Sequence, residues 1–237
     1  MNFQRDLIFT PLFDFKPFYN DGFLSDCEIR VHDNQYDASY VSIKSHVAIL
    51  SNSSDFFFNS FTSEMDEQKT GIVHVYDNPS GLLQKVIEWM YNGQISFTDN
   101  ELMPLIHISK IYGIRTLDAV LSRYLDTHVN PQIILNYASQ CFEYELADEL
   151  KLLELYFVKF FDKITITNFT NSLDVITFTN IIKRVNIDYP KKIKILNEFL
   201  GDFKCDKEEL AALKTVIPPN NKEAVRAAKK LHPYWYK

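Results

Sequence analysis

The hydrophobic pattern of this 237-residue chain changes its period near His128, and that change limits the folds it can adopt. Before that residue, residues 26–31 alternate as a β-strand does, while residues 82–91 place apolar side chains at helical spacing. After it, the pattern is almost wholly helical. The sequence therefore predicts an α+β region to about residue 127, followed by an all-α region.

The first half is predicted to have a three-stranded core covered by helices. Cys27, Ile29 and Val31 share one strand face, and residues 36–43 can return beside them as the second strand of a hairpin. Ser54-Asp55 offers a helix N-cap. The other predicted elements are helices at 45–50, 54–61 and 82–91, two further helices up to 127, a surface loop at 63–71 and a strand at 72–76.

Capping residues mark helices in the second half. Asn130-Pro131 is predicted to begin one helix, Pro190 opens another, and Asp206 with Glu209 forms a capping box before a third. The segment 218–237 is a basic aromatic tail with five basic side chains and one acidic one. It can dock a partner or an acidic surface, or residues 221–231 can form a last helix that packs on the helical region.

Charge, hydropathy and motifs exclude several classes of function. The formal net charge is −6, so we expect no nucleic acid as a partner. No apolar run approaches the roughly 20 residues of a membrane span, and the N-terminus lacks a signal-peptide core, so we expect no membrane and a cytoplasmic or nuclear location. The three distant cysteines are predicted to be buried thiols of a reducing compartment.

No sequence motif points to catalysis. The chain lacks Gly-rich phosphate loops and nucleophile elbows, and its six histidines have no metal-ligand spacing. His107 and Ser109 fall on different helix faces, which argues against a dyad. We therefore predict no catalytic, cofactor-binding or metal-binding residues and no cofactor. An enzyme with an unrecognised site is the least favoured alternative.

Five segments, in order and spacing, resemble the BTB/POZ domain. They are SDCEI at 25–29, IKSHVAILS at 43–51, SDFF at 54–57 with Phe61, VIEWMYNG at 86–93, and residues 105–117. Residues 130–160 are similar to the BACK helices that often follow this domain. The resemblance implies a small mixed sheet flanked by helices, followed by an all-α BACK-like bundle. The implied parts are an N-terminal segment (1–24), a BTB/POZ-like domain (25–127), a BACK-like domain (128–217) and the basic aromatic tail (218–237).

The resemblance implies a non-catalytic protein–protein adaptor. Many BTB/POZ adaptors bind the third cullin, the scaffold of a ubiquitin ligase, after the helix that contains Phe57. Their loop before the next strand carries a hydrophobic–any–Glu triplet, and Met65-Asp66-Glu67 occupies that position here. A flexible Met can insert into an apolar pocket, although a solvated acidic loop would have the same sequence. Phe57, Met65 and Glu67 are therefore the expected cullin contacts.

The family also dimerises through an N-terminal helix, which implies a homodimer interface at Leu7, Leu12, Phe13 and Phe15. Two prolines, at 11 and 17, interrupt that helix, so the sequence leaves the oligomeric state open.

Two positions near the first helix refine this interpretation. His46 is expected to be a hydrogen-bonded core histidine. Asp26 lacks the basic partner that some transcriptional BTB domains place at position 47, where this chain has Val47. A corepressor groove is therefore disfavoured.

The alternative function is an oligomerising scaffold without a ubiquitin-ligase role. Up to Lys237 the sequence shows no Kelch repeats, zinc fingers or other substrate module, so the tail and the BACK-like surface are the expected places for a client. The sequence does not identify that client.

Overall fold

The computed structural model describes residues 4–8, 15–32, 39–165, 169, 172–201, 205–216, 222, 225 and 226, with backbone only for 4–8, 20 and 21. They form two compact units, residues 1–127 and 128–237. The elements of the first unit are β1 (Gln4–Ile8), α1 (Lys16–Asp21), β2 (Cys27–Val31), β3 (Val41–Ser45), α2 (Val47–Ser53), α3 (Asp55–Thr62), α4 (Asp66–Thr70), β4 (Ile72–Val75), α5 (Leu83–Asn92), β5 (Gln94–Thr98), α6 (Leu102–Ile111) and α7 (Arg115–His128).

The predicted three-stranded core is confirmed, with β2 at its centre. The strand order is β3-β2-β4, with β2 antiparallel to β3 and parallel to β4. Ile29 pairs with Ile43 on one side and with Val73 on the other, and all three side chains are buried. Alternation along each strand turns the apolar face inward and leaves a polar face outside. The second strand begins at Val41, five residues later than predicted.

A second, two-stranded sheet was not predicted from the sequence. β1 runs antiparallel to β5, with Leu7 opposite Ile95. Part of the predicted N-terminal segment therefore pairs within the first unit. Ile95 and Phe97 alternate as buried residues, but β5 is short and directly follows the left-handed Gly93 that ends α5. These two features explain why the sequence pattern predicts no strand between the two helices.

The predicted surface loop at 63–71 contains a short helix, α4. Asp66 and Glu67 lie in its first turn and Lys69 in its last, an arrangement that complements the helix dipole. Gly71 ends it with φ 68°, and a Cβ there would lie 3.0 Å from the carbonyl oxygen of Asp26. Glycine therefore allows the chain to enter β4 beside β2.

The second unit is helical, as predicted. Its elements are α8 (Ile134–Glu143), α9 (Ala147–Phe160), α10 (Val175–Arg184), α11 (Tyr189–Leu200) and α12 (Lys207–Lys214). Phe157, Phe169 and Phe178 are fully buried, and their neighbouring ring centroids lie 5.3–5.5 Å apart. The capping box of Asp206 and Glu209 is confirmed.

Two other sequence predictions for this unit fared differently. The helix after Asn130 begins at Ile134, later than predicted. The predicted last helix lies largely outside the described residues. Within the described part of the chain, no helix is long and apolar enough to span a bilayer.

The outer face of the three-stranded sheet is held together by Glu28. Its carboxylate accepts hydrogen bonds from Lys44 Nζ at 2.9 Å, Ser42 Oγ at 2.8 Å and Arg30 Nε at 3.1 Å. These bonds, Lys44 first, lower the pKa of Glu28 to about 2. The ionised form therefore links β3 to β2.

We expect Glu28→Gln to lower the free energy of unfolding at pH 7 by about 1 kcal/mol, since each partly exposed ion pair contributes about 0.2–1 kcal/mol. The pKa is lower in the folded state, so the contribution is complete above the unfolded value of 4.5 and is lost as the pH falls toward about 2. Urea unfolding at pH 7 and pH 3 measures this, with the exposed Glu64→Gln as control. An equal deficit at both pH values would contradict it.

Candidate functional site

The side chain of Met65 projects into solvent at the start of α4. It is 60% exposed, and its extended backbone precedes the helix. Glu64 before it has φ 56°, a left-handed conformation that is uncommon outside glycine and turns the chain between α3 and α4. Glu67 is half-buried in the first turn of α4. The structure thus places the predicted triplet at a helix N-terminus rather than in an irregular loop.

Phe57 lies in the core and not on the surface. It is 0% exposed, and its ring stacks on Tyr112 with an interplanar angle of 8°. Its neighbour Phe58 is 51% exposed. This corrects the expectation that Phe57 contacts a partner, because its side chain is not accessible. The helical spacing in the sequence indicates which phenylalanines are buried, since Phe57 and Phe61 lie on the buried face and Phe58 does not.

The start of α3 is fixed against the end of α6 by what we call the α3–α6 junction, formed by Ser54, Asp55, Tyr112, Gly113 and Arg115. The Ser54 hydroxyl donates to the Tyr112 carbonyl and accepts from the Phe57 N–H. The Asp55 N–H donates to the Gly113 carbonyl, and its carboxylate pairs with Arg115 at 2.7 Å. A Cβ at Gly113 would lie 2.8 Å from the Asp55 Cβ, so only glycine permits this approach.

Apolar side chains are exposed on α3, at the start of α4 and at the end of α6. We call them, together with the half-buried Glu67, the α3–α4 surface, whose members are Phe58, Met65, Glu67 and Ile111. Ile111 is 45% exposed and was not singled out in the sequence. Apolar side chains with a charged rim are typical of a protein-binding surface.

A second exposed apolar group surrounds α1. We call it the N-terminal aromatic patch, and its members are Phe15, Phe18, Phe23 and Leu24. Phe23 and Leu24 are 62% and 70% exposed. The ring centroids of Phe18 lie 6.4 Å from those of both Phe15 and Phe23. Of the predicted dimer residues, Phe15 lies in this patch and the backbone of Leu7 lies in β1, while Leu12 and Phe13 lie outside the described residues.

His46 ties this patch to the core, which confirms its predicted structural role. Its Nε2 lies 2.8 Å from the Phe23 carbonyl oxygen, and its Nδ1 lies 2.9 Å from the Tyr91 hydroxyl. A carbonyl only accepts, so Nε2 carries the proton and Nδ1 accepts from Tyr91. The same hydroxyl accepts from the His46 N–H. Burial raises the pKa of Tyr91 to about 12, which keeps its hydroxyl protonated.

Asp26 caps a helix. Its Oδ1 accepts the Val47 N–H at 2.8 Å, so the carboxylate neutralises the N-terminus of α2. This contact gives Asp26 a structural role and agrees with the sequence argument against a charged corepressor groove.

Other polar groups form pairs. The Nε2 of His107 lies 3.1 Å from the Oδ2 of Asp77, and the Nε2 of His32 lies 2.8 Å from the Nδ1 of His74. Among the residues that the structure describes, no group of three or more His, Cys, Asp and Glu side chains is arranged to hold a metal ion. A groove beside β3 is lined by Tyr19, Gly22, Gln84 and residues 41–44.

Comparison with known proteins agrees with this architecture. The family profile described as BTB/POZ domain matches residues 15–129. Mouse Kelch-like protein 8 is 20% identical over 147 residues, which cover 62% of this chain and 22% of that protein. Chicken Kelch-like protein 15 is 27% identical over 92 residues, covering 39% and 17% respectively. Mouse Kelch repeat and BTB domain-containing protein 4 is 28% identical over 80 residues, covering 34% and 15%.

The matched part spans less than a quarter of each of these relatives. The family match agrees with the small mixed sheet and the flanking helices of the first unit. Residues 15–129 of this chain are a BTB/POZ domain, and a helical region follows it.

Proposed function

We propose that this chain is a non-catalytic adaptor whose BTB/POZ domain docks on the third cullin, the scaffold of a ubiquitin ligase, while another surface holds a client protein. The exposure of Met65 at the start of α4 supports this proposal most directly. BTB/POZ domains are protein-interaction modules, and the Kelch-like relatives are consistent with adaptor work.

The α3–α4 surface has the composition that such docking needs. Met65 and Phe58 offer more than half of their side-chain area to a partner. A methionine adapts its shape to an apolar pocket, and a buried apolar anchor supplies most of the binding energy at an interface. Glu67 and the Asp55–Arg115 pair provide a polar rim. In this proposal, the exposed Phe58 takes the contact role that was expected for Phe57.

The helical second unit fits the BACK-like role that the sequence suggested. In this proposal it extends the BTB/POZ domain and presents the client, together with the basic aromatic tail. The proposed location is the cytoplasm or the nucleus, where a cullin ligase operates.

A second candidate function is an oligomerising scaffold without a ligase link, and the N-terminal aromatic patch favours it. Phe23 and Leu24 are large apolar side chains with more than half of their area exposed. Clustered exposed apolar residues mark interaction sites. We assign this patch to a homodimer, which is compatible with either function.

For the cullin proposal, we expect Met65→Asp combined with Glu67→Lys to abolish binding to the purified N-terminal domain of the third cullin. A charge in place of the apolar anchor should weaken binding by about 30-fold or more, since hot-spot losses reach about 2 kcal/mol and above. Calorimetric titration measures the affinity. Val41→Asp, which replaces a side chain of matched exposure at 58%, serves as control. Undiminished binding by the double variant would reject the assignment.

For the homodimer, we expect Phe23→Asp combined with Leu24→Asp to convert the chain to a monomer in sedimentation velocity. Burying such side chains contributes about 1.5–3 kcal/mol each, and Asp tolerates the left-handed φ of 59° at position 24. Phe142→Asp, in the second unit, should leave the dimer intact. A monomeric wild type refutes the dimer, and a dimeric double variant refutes the patch. Assembly without any cullin binding would favour the scaffold function.

A further inference from the structure

Strand β3 lies at one edge of the three-stranded sheet, and the register shows which of its backbone groups face outward. The N–H groups of Glu28 and His32 donate to the carbonyls of Gly71 and Val75, so the even-numbered residues of β2 point to β4. The odd-numbered residues of β2 therefore bond to their partners in β3, for example Ile29 to Ile43. The N–H and C=O groups of Ser42 and Lys44 consequently point away from the sheet.

These outward groups open onto the groove beside β3. Within the described part of the chain, no hydrogen bond joins the outward N–H or C=O of Ser42 or Lys44 to another group. Tyr19 and Gly22 from the end of α1, and Gln84 from α5, line the groove together with the strand. Gly22 lies against Lys44, since a Cβ there would come within 3.3 Å of the Lys44 Cβ.

Unpaired donors and acceptors that alternate along an edge are complementary to one kind of ligand, an extended backbone. Because α1 and α5 contribute side chains to the groove, a single extended segment fits there more readily than the edge of a second folded sheet with its own flanking elements. The occupant is therefore a free segment of a partner rather than a second copy of β3.

The charges around the edge indicate the sequence of that segment. On the outer face, Lys44 and Arg30 share one carboxylate, that of Glu28, which leaves an excess positive charge. The side chain of Lys44 is 59% exposed. An added strand would place alternate side chains beside Ser42 and Lys44, where an acidic residue is favoured.

We propose that β3 is a second partner-binding site, which takes an extended acidic segment of another protein as an added antiparallel or parallel strand. This site uses the backbone of Ser42 and Lys44, and it is independent of cullin binding through Met65. It gives the BTB/POZ domain itself a means of holding a client.

The test starts from a random 12-residue peptide display library selected on the full chain, with the best peptide then synthesised. Ser42→Pro removes the outward N–H without breaking a bond to β2, and proline is tolerated at such edge positions. Ser42→Ala keeps the N–H and is the matched control. We expect binding by wild type and Ser42→Ala, a loss of about tenfold for Ser42→Pro, and enrichment of acidic peptides. Lys44→Glu should reduce binding further.

Two measurements keep the test valid if Ser42→Pro is unstable. Amide hydrogen exchange should show protection of Ser42 and Lys44 when the peptide binds. Only every second N–H of a bound peptide would face β3. N-methylation of either the odd-numbered or the even-numbered peptide bonds should therefore abolish binding in one of these two parities and leave it unchanged in the other. The proposal is overturned if no peptide is recovered, if both parities bind equally, or if protection falls elsewhere. Self-association that Ser42→Pro abolishes would show the occupant to be a second copy, which also overturns it.

Discussion

The α3–α6 junction sets the orientation of the helices on which the proposed function depends. The Ser54 hydroxyl both caps α3 and bonds to the Tyr112 carbonyl, so one side chain fixes the start of one helix and the end of another. Gly113 permits the close approach, and the Asp55–Arg115 pair spans it. Removing the hydroxyl would leave the Phe57 N–H without a partner, which costs about 1–3 kcal/mol, while the Tyr112 carbonyl would still accept the Phe56 N–H.

The orientation of α3 decides which aromatic side chains face a partner. With its first turn fixed, the helical period turns Phe57 and Phe61 into the core and Phe58 outward. The left-handed backbone of Glu64 then turns the chain between α3 and α4, and the side chain of Met65 is exposed at the start of α4. The exposed methionine is thus a consequence of local geometry and not of an unstructured loop.

Local signals were sufficient to predict much of the fold from sequence. Ser54 and Asp206 cap helices as predicted, because capping depends on side chains within a few residues. Pairing of β1 with β5 joins residues about 90 positions apart, such as Gln4 and Thr98, and no local pattern reports such a partner. The buried position of Phe57 differs from the partner contact that the family resemblance implied, although the helical spacing of Phe57 and Phe61 indicates a shared buried face.

The candidate sites differ in how far the sequence could reveal them. Met65 and Glu67 could be found in the sequence because the proposed contact depends on their side chains, which the hydrophobic–any–Glu triplet specifies. The edge of β3 could not, since every residue except proline has both an N–H and a C=O, and only the register shows that those of Ser42 and Lys44 point outward. In the two proposals, side chains at α4 bind the cullin, while the backbone of β3 binds the client and the side chains of β3 set which client sequence is preferred. Substitutions of those β3 side chains would change the preferred client and leave the cullin contacts at α4 unaltered.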